Sequence, residues 1–188
     1  MEGCAIRPWR LQDAADLVGL INNRRVQDNL RDGIPYPYGL QDAKDYLTGV
    51  LARDPHQVYA FAITWQGQLA GSISATRGGN IHCRTAELGY YLGEAFWGRG
   101  IATAAVELLC QHLFAQTDLL RIFAEPFGEN LASCQVLEKA GFQLEGILRC
   151  NAVKNGVVRD MKLYARLRPN GDLAGETDRI ATEGRSRG

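Results

Sequence analysis

The sequence shows no excess of charge of either sign. Its 188 residues include 21 Lys and Arg and 21 Asp and Glu, so the formal net charge is zero. A protein that binds nucleic acid or an anionic membrane through its overall field needs a surplus of basic residues. Basic residues are not concentrated with aromatic ones in any segment either. We therefore expect neither nucleic acid nor membrane as a partner, and any polyanion must be bound by local groups.

Long apolar runs and paired cysteines are missing as well. No stretch approaches the roughly 20 apolar residues of a membrane span, and residues 1–11 lack the apolar core of a signal peptide. The cysteines are odd in number, widely spread and without a C-x-x-C pair, which disfavours disulfides and zinc; they are Cys4, Cys83, Cys110, Cys134 and Cys150. We expect free buried thiols, no metal and a cytoplasmic location.

The periodicity that is present is typical of an α+β domain. Stretches rich in β-forming residues predict strands at residues 5–7, 58–65, 69–76, 85–92, 121–125, 142–150 and 157–166. Apolar residues at helical spacing predict four helices, one that begins near residue 12 and others at 41–53, 100–116 and 132–140. This order differs from strict βαβ alternation, and it indicates one domain with a mixed, mostly antiparallel sheet of about six to seven strands.

Two segments lack this periodicity. Residues 29–39 hold two glycines and two prolines, which predict an irregular loop, and its Tyr36 and Tyr38 either face a ligand or cover the core. From Arg168 onward the chain has eight charged residues and no aromatic one, too little apolar surface to offset the entropy of ordering. We expect the folded domain to span residues 1–167 and residues 168–188 to form a mobile, disordered tail.

A glycine-containing loop joins the strand that ends at Leu92 to the helix that begins near Gly100. Gly98 and Gly100 allow a sharp turn in which successive N–H groups and the helix N-terminus converge on an oxyanion. Arg99 and Thr103 could add a cation and a hydroxyl. The other interpretation is that the two glycines only let the helix pack closely on the sheet. The patterns of a Walker loop and of a dinucleotide fingerprint are both incomplete here.

Residues on both sides of this loop resemble a known family. The run Glu87-Leu88-Gly89-Tyr90-Tyr91-Leu92 with Trp97-Gly98-Arg99-Gly100-Ile101-Ala102 resembles motif A of the GNAT superfamily of acyl-CoA-dependent N-acetyltransferases, although Trp97 stands where Gln or Arg is usual. Residues 130–133 and 136–146 resemble motif B of its RimJ/RimL branch, which contains the ribosomal-protein N-terminal acetyltransferases. With the closing Asn155-Gly156 turn, the resemblance covers residues 5–167.

The resemblance implies a fold, a cosubstrate and residues that hold it. The fold would be a GNAT-like domain with a splayed central strand pair, and the cosubstrate would be acetyl-CoA. In this family the strand before the loop pairs with the pantetheine arm, the loop binds the pyrophosphate, and a motif B asparagine contacts the coenzyme. The implied coenzyme-binding residues are Tyr91, Leu92, Trp97, Gly98, Arg99, Gly100, Ile101, Ala102, Thr103, Asn130 and Ser133.

Acetyl transfer to an amine needs a base for the ammonium proton and a proton donor for the leaving thiolate. Glu87 lies where the family often places its base, but it could instead be a structural carboxylate paired with an arginine. Ser133 could approach the thioester sulfur or simply cap a helix, and Tyr164 is either a second donor or a core residue. Cys134 has no evident base beside it, so a covalent acyl-cysteine is disfavoured.

The proton affinity of the amine bears on the acceptor. An α-amine of pKa about 8 is roughly one-tenth neutral at pH 7, whereas a lysine side chain near 10.4 costs about 4–5 kcal/mol to deprotonate. A single modest base suits the α-amine, and the branch resemblance agrees. We expect a protein N-terminus as acceptor and a monomer or homodimer. The alternatives are a small amine, such as an amino acid, a polyamine or an antibiotic, and a noncatalytic coenzyme-A sensor.

Overall fold

The computed structural model describes residues 3–169, which form a seven-stranded sheet with helices on both faces. The strands are β1 (Cys4–Pro8), β2 (Val58–Trp65), β3 (Gln68–Arg77), β4 (Thr85–Leu92), β5 (Arg121–Ala124), β6 (Gln143–Lys154) and β7 (Val157–Leu167). The helices are α1 (Ala14–Ile21), α2 (Arg24–Gln27), α3 (Leu40–Leu51), α4 (Ile101–Gln116) and α5 (Leu131–Lys139). The predicted α+β class and mixed sheet are confirmed. The predicted tail lies outside the described residues except for Arg168 and Pro169.

The sheet has the strand order β1-β2-β3-β4-β5-β7-β6, and within residues 3–169 the central β4–β5 pair alone is parallel. Two tight turns set the register of its hairpins. Gln66 and Gly67, with φ of 50° and 82°, join β2 to β3, and Asn155 and Gly156, with φ of 52° and 75°, join β6 to β7. Positive φ at both central residues matches the twist of the flanking strands, as the sequence predicts.

Different helices cover the two faces of the sheet. α4 and α5 pack on one face, where Ile101 and Leu109 are fully buried. α1 and α3 pack on the other, around the buried Leu17 and Leu47. We call these the α4/α5 face and the α1/α3 face. Between residues 3 and 169, no helix is long and apolar enough to cross a membrane.

The largest differences from the sequence prediction are one additional helix and the end of one strand. The sequence does not predict α2, because its four residues make a single turn without a periodic apolar pattern. Asn23 caps this turn by accepting a hydrogen bond from Arg25 N at 2.9 Å. The described chain therefore has five helices where four are predicted. β6 continues to Lys154 rather than ending at residue 150, because its pairing with β7 resumes after a register shift between Leu148 and Ala152.

β4 and β5 diverge in the middle of the sheet. Their ladder runs only from the Thr85–Arg121 pair to the Glu87–Phe123 pair. β4 then continues to Leu92, whereas β5 ends at Ala124. The second half of β4 therefore has no strand beside it on this side, which confirms the predicted splayed pair and opens a cleft through the sheet.

Gly71 sets the distance between β3 and the open half of β4. A Cβ at this residue would lie 2.1 Å from the Tyr91 carbonyl oxygen, and a backbone atom cannot turn aside as a side chain can. We expect Gly71→Ala to lower the free energy of unfolding by about 1–3 kcal/mol, measured by urea denaturation. The matched control is Gly89→Ala on β4, since a Cβ there would meet no heavy atom within 4 Å. Equal destabilisation by both changes would contradict this role of Gly71.

Candidate active site

A cleft of about 600 Å³ opens where β4 and β5 diverge. Its walls are the second half of β4, the loop of residues 93–100, the first turn of α4, the residues after β5 and one side of α5. The structure brings together in this cleft all the coenzyme-binding residues predicted from the sequence, which are Tyr91, Leu92, Trp97, Gly98, Arg99, Gly100, Ile101, Ala102, Thr103, Asn130 and Ser133. Glu87 lines the cleft as well.

The loop before α4 has the geometry of an anion site. Gly98 and Gly100 have φ of 72° and 74°, in the left-handed region that glycine adopts without strain. Gly100 is the N-cap of α4, and no side chain caps it, so the first N–H groups of this helix lack intrahelical partners. Arg99 has no ion-pair partner in the described part of the chain. A Cβ at Gly98 would meet nothing within 4 Å, which favours anion binding over close packing.

Trp97 fastens this loop to the end of β4. Its indole Nε1 donates a hydrogen bond to the Leu92 carbonyl oxygen at 2.9 Å. The Arg25 guanidinium lies over the indole ring, 5.6 Å from the ring centre, and is ion-paired with Glu94. Asn23 Nδ2 also donates to Glu94, at 2.7 Å. α2 and its N-cap therefore contact and stabilise the loop. The sequence could not reveal this contact, because α2 lies far earlier in the chain.

Tyr90 and Ser133 form a hydroxyl pair on the α4/α5 side of the cleft. Their hydroxyl oxygens are 2.8 Å apart, and the Tyr90 hydroxyl is also 3.2 Å from the Ser133 carbonyl oxygen. Burial raises the pKa of Tyr90 to about 12, and the hydrogen bond with Ser133 opposes this shift. The pair is therefore neutral at ordinary pH and can donate hydrogen bonds. Sequence analysis missed Tyr90, although strand alternation places it on the face opposite Glu87.

Asn130 positions the start of α5. Its side-chain oxygen accepts a hydrogen bond from Ser133 N at 3.1 Å, so Asn130 is the N-cap of the helix. The Ser133 hydroxyl therefore does not cap the helix and is available to Tyr90 and to a ligand. The amide nitrogen of Asn130 keeps its two N–H donors for the cleft.

Glu87 is ion-paired with Arg31 on the α1/α3 side of the cleft. Arg31 belongs to the irregular loop of residues 29–39 and faces both carboxylate oxygens, with Nη1 at 3.5 Å from Oε2. The Arg31 side chain is 66% exposed and that of Glu87 32%. Ion pairs as exposed as this one contribute only about 0–1 kcal/mol, so Arg31 can release Glu87 at little cost. The pairing matches the structural alternative for Glu87 but leaves its carboxylate in the cleft.

The loop of residues 29–39 lines part of the cleft, but its two tyrosines do not. Tyr38 is buried against α1 and α3, and Tyr36 lies under the Arg24 guanidinium, 4.1 Å from the ring centre. Neither tyrosine lines the cleft. Tyr38 covers the core, which is one of the two predicted alternatives, and Tyr36 stacks on a neighbouring helix. The residues of this loop that do line the cleft are Asn29, Leu30 and Arg31.

Tyr164 lies in the core and does not line the cleft. Its side chain belongs to a residue only 1% exposed, and its hydroxyl donates to Glu138 Oε1 at 2.8 Å. Burial is the main cause that raises the pKa of this hydroxyl above its usual value. Tyr164 pairs with Ala124, whose side chain packs on the α4/α5 face. The structure therefore does not bring Tyr164 to Glu87, and the core alternative describes it.

The cysteines in the described part of the chain are free, as predicted, but the expected burial is wrong for Cys83 and Cys150, which are exposed. Cys134 is buried in the core beneath α5 and does not line the cleft, although the neighbouring Ser133 does. Among residues 3–169, no group of three or more His, Cys, Asp and Glu side chains is placed to hold a metal ion.

The cleft has two chemically different sides. The glycine loop and the hydroxyl pair lie on the α4/α5 side. On the α1/α3 side, the cleft is lined by residues that are direct partners on β3 and β4, and partners across a ladder face the same way. These are Thr76 opposite Glu87 and Ser74 opposite Gly89. The α4/α5 side therefore favours an anionic ligand, whereas the α1/α3 side offers neutral hydroxyl groups and the Glu87 carboxylate.

Comparison with known proteins agrees with this geometry. The family model for the acetyltransferase (GNAT) domain matches residues 4–143. The chain is 34% identical over 171 residues, 88% of this chain and 94% of the relative, to the probable N-acetyltransferase YjcK of Bacillus subtilis (strain 168). Over 107 residues, 57% of this chain and 59% of the relative, it is 36% identical to the ribosomal-protein-serine acetyltransferase of Escherichia coli (strain K12).

A solved structure shows the same fold with the coenzyme bound. This protein is RimL, a ribosomal L7/L12 alpha-N-protein acetyltransferase in complex with coenzyme A. It matches with a TM-score of 0.80 and 25% sequence identity, over 89% of this chain and 95% of that chain.

Proposed function

The chain belongs to the GNAT family of acetyltransferases, and we propose that within this family it acetylates the α-amine of a protein N-terminus. It is an N-acetyltransferase that uses acetyl-CoA as its cosubstrate. The observation that carries the proposal is the cleft through the splayed sheet, because its two sides suit two different reactants.

The α4/α5 side suits the coenzyme. The uncapped N-terminus of α4 offers N–H donors and partial positive charge to a pyrophosphate. The open edge of β4 at Tyr91 and Leu92 offers backbone groups to the amides of the pantetheine arm, as a neighbouring strand would. Asn130 offers its side-chain N–H donors. An arm held in this way brings the thioester to the hydroxyl pair of Ser133 and Tyr90.

The α1/α3 side suits the amine. Glu87 accepts a proton from the ammonium group, directly or through a water molecule, and the neutral nitrogen attacks the thioester carbonyl carbon. The C–N bond forms, the nitrogen releases its second proton to solvent, and the C–S bond breaks. Ser133, which accepts a hydrogen bond from Tyr90, donates its own to the departing sulfur, and the thiolate then takes a proton from solvent. We propose direct attack in a ternary complex, because the two reactants enter from opposite sides of one sheet.

Two observations support an α-amine as the acceptor. One is that the proposed base, Glu87, is a single carboxylate paired with an arginine. Such a modest base suffices for an amine of pKa about 8 but not for one near 10.4. The other is that two of the similar proteins, the ribosomal-protein-serine acetyltransferase of Escherichia coli and RimL, are named for action on ribosomal proteins, and RimL for action at the α-nitrogen.

The test is acetyl transfer to a panel of acceptors. Turnover is measured as the release of the coenzyme A thiol from acetyl-CoA. The panel contains N-terminal peptides, the same peptides with a blocked N-terminus, polyamines, amino acids and aminoglycosides. We expect turnover with the free peptides and none with the blocked ones. Preference for a small amine would contradict the proposed acceptor. Coenzyme binding without turnover on the whole panel would contradict catalysis.

Glu87→Gln tests the proposed base. About nine-tenths of an α-amine is protonated at pH 7, so loss of the base is expected to lower kcat/KM about tenfold there and to matter little near pH 9. The measurement is the pH–rate profile of the variant beside that of the wild type. The control Arg31→Gln removes the ion-pair partner of Glu87 and keeps the carboxylate. The pH–rate profile of this control is therefore expected to keep the wild-type shape. An unchanged profile in Glu87→Gln would exclude Glu87 as the base.

A further inference from the structure

Glu125 directly follows β5 and lines the cleft. Glu125 belongs to none of the predicted sets of site residues. Ile122 and Ala124 are buried on the α4/α5 face, and side chains alternate along a strand, so Phe123 faces the α1/α3 side. Glu125 comes one residue after the end of β5, and continuation of this alternation places it on the same side of the sheet as Glu87, across the splayed pair.

Gly89 lies level with Glu125 across the cleft. Glu87 pairs with Phe123 in the parallel ladder. Two residues further along the chain are Gly89, which is still in β4, and Glu125, which directly follows the end of β5. A Cβ at Gly89 would meet no heavy atom within 4 Å, and its φ lies outside the left-handed region. Neither packing nor backbone conformation requires glycine here, so the gap beside Gly89 is open to a ligand.

Glu125 carries the uncompensated charge on this side of the cleft. Glu87 is neutralised by Arg31, whereas Glu125 has no ion-pair or hydrogen-bond partner among residues 3–169. The other polar residues of this wall, Ser74 and Thr76, are neutral. A cation that enters from the α1/α3 side therefore meets one carboxylate that is free to bind it.

We infer that Glu125 binds the ammonium group of the acceptor in the gap beside Gly89 and positions its nitrogen for attack. The inference rests on the proposed function. A carboxylate holds an ammonium group by charge-assisted hydrogen bonds, and the three N–H donors can contact Glu125 and Glu87 together. When one proton passes to Glu87, a remaining N–H still donates to Glu125, which orients the nitrogen lone pair towards the thioester.

Glu125→Gln keeps the size of the side chain and removes its charge. A hydrogen bond to a charged group is worth a factor of about 10 to 100 in binding. We therefore expect KM for an N-terminal peptide to rise by about that factor and kcat to fall because the nitrogen loses its orientation, with the coenzyme Kd and the shape of the pH–rate profile little changed. Glu107→Gln on α4, outside the cleft lining, is the matched control and is expected to keep the wild-type KM.

Gly89→Ala is a second variant that tests the same gap. Its methyl group enters the open space without touching another part of the protein. We expect unchanged thermal unfolding and coenzyme binding together with a higher KM for the peptide. A wild-type KM in this variant would contradict the placement of the acceptor beside Gly89.

A binding measurement separates this inference from turnover. Calorimetry on the complex with coenzyme A compares an N-terminal peptide with its des-amino analogue. The wild type is expected to prefer the amine by at least about tenfold, and Glu125→Gln to bind the two equally. Retained preference or an unchanged KM in Glu125→Gln would overturn the inference and leave the proposed function intact. Failure of the wild type to acetylate any N-terminal peptide would overturn the proposed function, and KM for the amine that it does acetylate would then test Glu125.

Discussion

In the variant Gly100→Asp, coenzyme A binding is expected to be lost, with Kd raised more than about 100-fold. Gly100 has φ of 74° and is the N-cap of α4, so any side chain strains the backbone where the N–H groups converge. The aspartate also places a negative charge beside the proposed pyrophosphate position. Two like charges about 4 Å apart repel by about 4 kcal/mol at an effective dielectric constant near 20, which accounts for a loss of this size.

The matched control for this variant is Gly100→Asn. Asparagine has nearly the same shape and adopts the left-handed conformation more readily than most residues, but it carries no charge. We expect it to weaken coenzyme binding less than aspartate does, and the difference measures the charge effect. Thermal unfolding of both variants checks that they fold. A calorimetric Kd for Gly100→Asp within about threefold of the wild-type value would remove this loop from the coenzyme site.

Ser133→Ala and Tyr90→Phe are each expected to lower kcat about 100-fold, the lower end of what one positioned hydrogen-bond donor contributes where charge develops in the transition state. The two hydroxyl oxygens are 2.8 Å apart, and in the proposed mechanism Tyr90 orients the Ser133 hydroxyl towards the leaving sulfur. The double variant is expected to be no slower than the slower single variant, because the pair acts as one unit. In Ser133→Ala the backbone N–H of residue 133 can still donate a hydrogen bond to the Asn130 side chain, so the N-cap of α5 is preserved.

Tyr164→Phe is the control for the hydroxyl pair. It also removes a tyrosine hydroxyl, but one that is bonded to Glu138 outside the cleft lining. We expect it to keep kcat and to lose about 0.5–1.5 kcal/mol of stability with the hydrogen bond. Steady-state kinetics and urea denaturation measure both effects. A loss of kcat in Tyr164→Phe as large as in Ser133→Ala would contradict the choice of Ser133 and Tyr90.

Local signals predicted most of the fold. The Gln66-Gly67 and Asn155-Gly156 turns and the apolar face of α4 are each specified within a few residues, and the structure confirms them. α2 escaped prediction because one helical turn has no periodicity to detect. The prediction of a monomer or homodimer and of a cytoplasmic location stays a prediction.

The candidate site was predictable only where it follows contiguous motifs. The glycine loop, Asn130 and Ser133 all belong to such motifs and line the cleft. The Arg31–Glu87 ion pair joins residues 56 positions apart, and no local pattern indicates it. The place of Glu125 depends on the parallel pairing of β4 with β5, which only the folded sheet reveals. Tyr164 was a candidate because no local pattern tells which face of β7 meets the cleft.

Localisation of the acetyl group by tandem mass spectrometry tests the central claim most directly. The substrate is a peptide with a free α-amine and an internal lysine, incubated with acetyl-CoA and the protein at pH 7. We predict a single acetyl group on the α-amine, since that amine is roughly one-tenth neutral while the lysine is almost wholly protonated. Acetylation at the lysine, or at neither amine while the protein binds coenzyme A, would contradict the account.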